Sequence, residues 1–222
     1  MKHSDKKFLL VIVGIMILIC GLAVIIRMKS TFHFEKSLDE VAYTVDGKKF
    51  PLKSAVYYIM LQEDRVSELA EAYDEKNPTA YWNLYIDNRF VSSVAAETAF
   101  DYCIQDYLYS REAEKKGISL NQQETEDALL KGKEIKTGLT KKQAEATQLT
   151  VKELQELAKR RKLIEKYVRT IAKEEGIPVT EEALSKEYGL GSDYFKSLKK
   201  KHHVTVDKKL LDKIPMGFIT IN

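Results

Sequence analysis

The chain has 222 residues, 44% hydrophobic and 31% charged, with a formal net charge of +3. That charge sits at the front: Lys2, Lys6, Lys7, Arg27 and Lys29 face only Asp5, and taking these from 36 basic and 33 acidic residues leaves 31 and 32, a net of −1. Nucleic-acid binding by charge is therefore excluded for the body. Cys20 lies inside an apolar run and Cys103 inside a helical pattern far along the chain, so no disulfide framework is expected.

The first element is an apolar run. Phe8 to Ile26 gives 19 residues without a charge (FLLVIVGIMILICGLAVII). As a helix rising about 1.5 Å per residue it spans roughly 28 Å, close to the hydrocarbon thickness of a bilayer. The lysines before it, helped by the α-amino group, favour residues 1–7 in the cytoplasm and the body outside. A lipobox needs a small residue before its cysteine, and Ile19 precedes Cys20. A signal-peptidase site can be drawn at Gly21-Leu22-Ala23, but the apolar run continues through Val24-Ile25-Ile26, which suits an uncleaved anchor. Residues 27–40 are polar with little periodicity and read as a stalk. About 190 residues follow the anchor, enough for one core or two small lobes.

Val41 to Val45 alternates with period two, placing Val41, Tyr43 and Val45 on one face, and Asp46-Gly47 signals a tight turn. This predicts a short strand and turn rather than a long hairpin. Pro51 suits a first helical turn. From Leu52 to about Lys76, Leu52, Val56, Ile59, Val66, Ala70 and Tyr73 share one side at helical spacing. Asn77-Pro78 breaks that helix and Thr79 is placed to cap the next, about 80–116. Its polar stripe is Ser93, Glu97, Asp101 and Gln105, with the rest mostly apolar, as in a central helix. Gly117 stops it.

Asn121 and Glu124 form a capping box for a third, mostly polar helix to about Lys136, closed by Gly138. A short segment runs from Thr140 to near Gln148. Thr150 and Glu153 box a further helix to Glu175, closed by Gly176. Pro178-Val-Thr180 leads into a sixth helical segment, weakened by Gly189 and Gly191. Val204-Thr-Val206 and Gly217 to Ile221 read as short strands.

Three runs carry a family resemblance. VAYTVDGKKFPLKSAVYYIM resembles the strand, turn and helix that open the SurA/PrsA N-terminal domain. REAEKKGISLNQQETEDAL, residues 111–129, resembles that family's helix end and restart. GIPVTEEALSKEY, residues 176–188, is similar to the linker leading toward its isomerase domain. The resemblance covers about residues 40–222 by layout. It implies a mainly α-helical SurA N-like domain with a small sheet pairing N- and C-terminal strands, acting as an extracytoplasmic chaperone. Where the foldases continue into a parvulin prolyl isomerase, only about 35 residues remain here after Tyr188. A parvulin site relies on a pair of histidines. His3, His33, His202 and His203 are cytoplasmic, in the stalk, or adjacent in sequence, and do not supply that pair. The expectation is a non-enzyme without cofactor or metal.

His202 and His203 read as an exposed helix end, since neighbours on a helix point about 100° apart and lack partners at ligand spacing. Lys196, Lys199, Lys200 and Lys201 either meet anionic lipid or wall polymer, or complement a helix C-terminus. No serine or cysteine comes with His and carboxylate partners, so nucleophilic catalysis has no candidate.

The aromatics concentrate in two helices: Tyr57, Tyr58, Tyr73, Tyr81, Trp82, Tyr85, Phe90, Phe100, Tyr102, Tyr107 and Tyr109. They form either a core with hydroxyls at its rim or a groove for extended polypeptide. On a wheel, Tyr57 and Leu61 point away from the main apolar face of the helix from Leu52, with Met60 beside them. That second face needs a cover, either the chain's own C-terminal segment or a client polypeptide shared with Trp82 and Tyr85. Tyr57, Met60, Leu61, Trp82 and Tyr85 are thus the candidate client-binding residues. The function expected is non-catalytic binding of unfolded or newly exported polypeptides. The rival is an envelope adaptor docking one partner; a prolyl isomerase ranks last.

Overall fold

A computed structural model describes residues 32–221. The segments expected to be a cytoplasmic tail, 1–7, and an anchor, 8–26, lie outside the described residues, as do Cys20 and residues 27–31 of the expected stalk 27–40. The described part of that stalk belongs to the body: Phe34–Lys36 form a 3-10 turn, Phe34 and Leu38 are buried, and the Lys53 amide donates to the Leu38 carbonyl at 2.8 Å. Among the described residues no helix is long and apolar enough to cross a membrane. The architecture is mainly helical with a small sheet.

Strand β1, Val41–Val45, turns through Asp46 and Gly47, both at positive φ, into β2, Lys48–Pro51. Two consecutive positive φ values match the right-handed twist of a hairpin, so the chain pairs back where the sequence reading stopped at the turn. Pro51 ends β2 instead of opening the helix, and it lies opposite Val41. The register shifts between Val41 and Tyr43. That irregularity leaves Val41 42% exposed and buries Ala42, so the expected face of Val41, Tyr43 and Val45 is broken. Strand β5, Val204–Val206, completes a three-stranded antiparallel sheet in the order β2-β1-β5, with Tyr43 opposite Val206 and Val45 opposite Val204.

A 3-10 turn, Leu52–Ser54, precedes helix α1, Val56–Tyr73. Every residue from Val56 to Met60 is buried, so the start of α1 is enclosed on all sides. Each such large apolar side chain contributes about 1.5–3 kcal/mol. Toward its end the helix surfaces: Leu69 is 50% exposed, and Tyr73, placed by periodicity on the core face, is 63% exposed.

The helix expected over 80–116 is shorter. A 3-10 segment, Pro78–Asn83, and a hairpin of β3, Tyr85–Ile86, and β4, Arg89–Phe90, precede helix α2, Val91–Lys115. Asp87 and Asn88 both take positive φ in that turn. Thr79 caps no helix; its hydroxyl donates to Asn77 Oδ1 at 2.9 Å. The stripe of α2 is exposed at Ser93 and Glu97 and sinks below other elements at Gln105.

Helices α3, Gln122–Gly138, α4, Lys141–Thr147, and α5, Val151–Glu174, follow, each opened by a complete capping box. Helix α3 buries only Ala128 and Gly132, because it packs on α5 through small residues. A Cβ at Gly132 would sit 2.5 Å from the backbone of Gln155. The sixth segment is split by Gly189 to Gly191 into α6, Glu181–Tyr188, and α7, Asp193–Lys201. A last turn, α8, Lys208–Leu211, precedes the C-terminal segment.

That segment forms no strand, contrary to its alternating pattern. It is instead a buried strap: Ile214, Met216, Ile219 and Thr220 are all enclosed. The amides of Gly217, Phe218, Ile219 and Thr220 and the Thr220 hydroxyl donate to Glu63 of α1, at 2.6–3.1 Å. Glu63 is 0% exposed, and a carboxylate can be buried at tolerable cost only with such a set of donors.

Candidate functional site: a tyrosine-lined groove

The structure does not bring the five expected residues together on an open face. Tyr57, Met60 and Trp82 are 7%, 4% and 2% exposed, and Leu61 is half-buried. Tyr57 is covered by α5: Arg161 Nη1 donates to its hydroxyl at 3.2 Å and the guanidinium lies over its ring. The C-terminal strap covers a different place, Trp82, with Gly217 against the indole. Tyr85 alone is open, 61% exposed, packed edge-on against Phe90.

The basic segment is divided too. Lys199 Nζ pairs with Asp101 of α2, while Lys196, Lys200 and Lys201 are exposed. His203 is exposed and His202 half-buried at the end of α7. His202 Nδ1 lies 2.6 Å from Asp46 Oδ2, and the His203 amide donates to Asp46 Oδ1 at 2.8 Å, fastening the end of α7 to the β1–β2 turn. Among the described residues no three His, Cys, Asp or Glu side chains gather where a metal could be held.

A groove does form elsewhere, between α2, α5 and α6, with Tyr58 of α1 in its lining and a volume of about 520 Å³. Tyr58, Tyr109 and Tyr188 are buried in its floor, 4%, 1% and 3% exposed, while half-buried Tyr102 gives it an aromatic edge and Ile164, Val168 and Leu184 its apolar walls. The rings of Tyr58 and Tyr102 stack 5.9 Å apart and 13° from parallel. Tyr109 Oη and Gln105 Nε2 both donate to the Tyr188 carbonyl, at 2.8 and 3.0 Å, which holds the end of α6 over α2. The walls Ile164, Val168, Leu184 and Tyr102 are half-buried and so still present apolar surface.

Asp106 belongs to this lining and is 8% exposed. Its Oδ2 accepts a hydrogen bond from the Tyr58 hydroxyl. Burial raises the carboxyl above its ordinary range, opposed by the Tyr58 bond and by the charges of Arg161 and Arg160. Burial and the neighbouring Asp106 also push Tyr58 well up, so its hydroxyl stays a donor.

No family model matches the chain, and no curated protein or solved structure matches it significantly. What the groove can do is therefore argued from its residues. It offers apolar walls and a few hydrogen-bonding groups, the make-up of a binding site. Sequence reasoning had Tyr58, Tyr102 and Tyr109 among its aromatics. It missed Tyr188, Arg161 and Asp106, which lie on other helices or in an apolar stretch.

A second surface lies under the β3–β4 hairpin, where Leu69, Ile86, Val91 and Val94 line a cleft of about 500 Å³. Leu69, Ile86 and Val94 are 50%, 48% and 40% exposed.

Proposed function

We propose that this is a membrane-anchored, extracytoplasmic protein that binds extended segments of unfolded or newly exported polypeptides without catalysing a reaction on them. The groove of Tyr58, Tyr102, Tyr109 and Tyr188, walled by Ile164, Val168 and Leu184, carries this reading. Tyr102 and the half-buried walls give contact area at low rotamer cost, over a floor held rigid by the buried tyrosines, which suits weak binding of varied sequences. The run Phe8 to Ile26 supports the anchor, and the three SurA/PrsA-like motifs support the chaperone class.

The test is Val168→Ser with Leu184→Ser, two half-buried wall positions. The double variant should melt within about 1–2 kcal/mol of the parent yet lose most of its suppression of an aggregating test protein. Unchanged suppression at full stability would remove the groove from the proposal. External protease on spheroplasts should digest the body, and protection of the body would reverse the topology.

One observation favours the adaptor reading. The exposed cluster of Leu69, Ile86 and Val94 lies on a hairpin and two helix ends, a form suited to one defined partner. An adaptor would co-purify with one envelope protein and ignore unfolded clients.

A further inference from the structure

We propose that Asp106 makes the tyrosine groove a receptor for a basic side chain, so that the polypeptide segment it takes carries a lysine or arginine. This rests on the reading of the groove as a polypeptide site and adds the chemistry of the residue it selects.

Asp106 is more than nine-tenths buried, lines the groove and has one hydrogen bond, from the Tyr58 hydroxyl to Oδ2. Among the described residues it forms no ion pair, although two guanidiniums share the same walls. Arg161 donates to the Tyr57 hydroxyl at 3.2 Å, and Arg169 pairs with Glu165 at 3.0 Å. Glu181 also lines the groove, so three carboxylates face two guanidiniums. A carboxylate enclosed without a direct ion pair is costly: burial raises its proton affinity, and the nearby charges of Arg161 and Arg160 offset this only in part. A cation entering the groove removes that cost.

The surroundings define which cation. The Tyr58 hydroxyl bonds the carboxylate, its ring stacks on that of Tyr102 in the same lining, and aromatic faces attract ammonium and guanidinium groups within about 6 Å. A divalent metal needs about six oxygen ligands, and among the described residues no three His, Cys, Asp or Glu side chains converge closely enough to hold one. Ile164, Val168 and Leu184 offer apolar wall to the methylene stem of a lysine or arginine while its head reaches Asp106.

The experiment uses the full chain in nanodiscs of zwitterionic lipid, with empty discs as control. Two fluorescent nine-residue peptides of leucine, tyrosine and serine are compared, one with a central lysine and one with norleucine in its place. Anisotropy should show the lysine peptide binding about tenfold more tightly, the worth of one enclosed charge pair. Asp106→Asn should remove that preference, so that the two peptides bind the variant with equal affinity. A photoreactive lysine peptide should crosslink to residues 102–109 of α2 in the unmodified protein, a readout that stands if the variant fails to fold. Equal binding of both peptides, a preference that survives Asp106→Asn, or crosslinks elsewhere would overturn the charge receptor while polypeptide binding stands. Binding of neither peptide would overturn both.

Discussion

The Glu63 carboxylate accepts four backbone amides and one hydroxyl from the strap, and nothing in the local sequence QEDR marks it for burial. Glu63→Ala leaves those donors buried without an acceptor and should cost about 3–5 kcal/mol in urea unfolding of the 32–222 body. A loss below about 1 kcal/mol would mean that apolar side chains alone hold the strap. Two other carboxylates make opposite contributions with pH. The bonds to His202 and to the His203 amide lower Asp46 below its ordinary 3.8, so its contribution is present above that value and lost as pH falls through the folded one. Burial raises Asp106 above 3.8, so its contribution is present at low pH and lost as pH rises through the folded value. Melting curves between about pH 3 and 7 should show a shallower acid limb for Asp46→Asn, and a gain for Asp106→Asn over its parent toward neutral pH. Parallel curves for both variants and parent would contradict these assignments.

Among the elements, the caps were legible because each is a local bargain between a side chain and amides three residues on. Asn121 with Glu124 and Thr150 with Glu153 form the boxes that their spacing predicts. The β3–β4 hairpin was not legible: YWNLYIDNRF is apolar and aromatic enough to pass for helix, and its turn uses Asp87 and Asn88 at positive φ without glycine. The strap was misread as a strand because its alternating residues are buried by α1 and Trp82, with no partner strand. Gly217 decides its path. It sits at φ +92, and a Cβ there would lie 2.6 Å from the Trp82 ring. Gly217→Ala should cost about 1–3 kcal/mol and shift the emission of Trp82, the one tryptophan of the sequence, to the red. Unshifted emission with full stability would show that the strap adapts without moving.

Across the whole molecule, β5 closes the sheet on β1 and the strap closes on α1, so the last twenty residues hold elements from the beginning of the body. Deleting residues 203–222 should lower the melting temperature of the entire body in one transition, whereas an unchanged melt would make the tail a free extension. Sequence by itself determined what depends on near neighbours: the charge asymmetry, the 19-residue uncharged run, most helices with their caps and stops, and the strands at Val41–Val45 and Val204–Val206. Tertiary structure decided what covers what. Periodicity shows that Tyr57 faces away from the main apolar side of α1, but only the packing of α5 puts Arg161 upon it. It shows that tyrosines are plentiful, but only the docking of α6 on α2 makes a groove of Tyr102, Tyr109 and Tyr188 and encloses Asp106 beside them. Burial is set by surfaces brought together from distant parts of the chain, and a local pattern carries no record of which surface arrives.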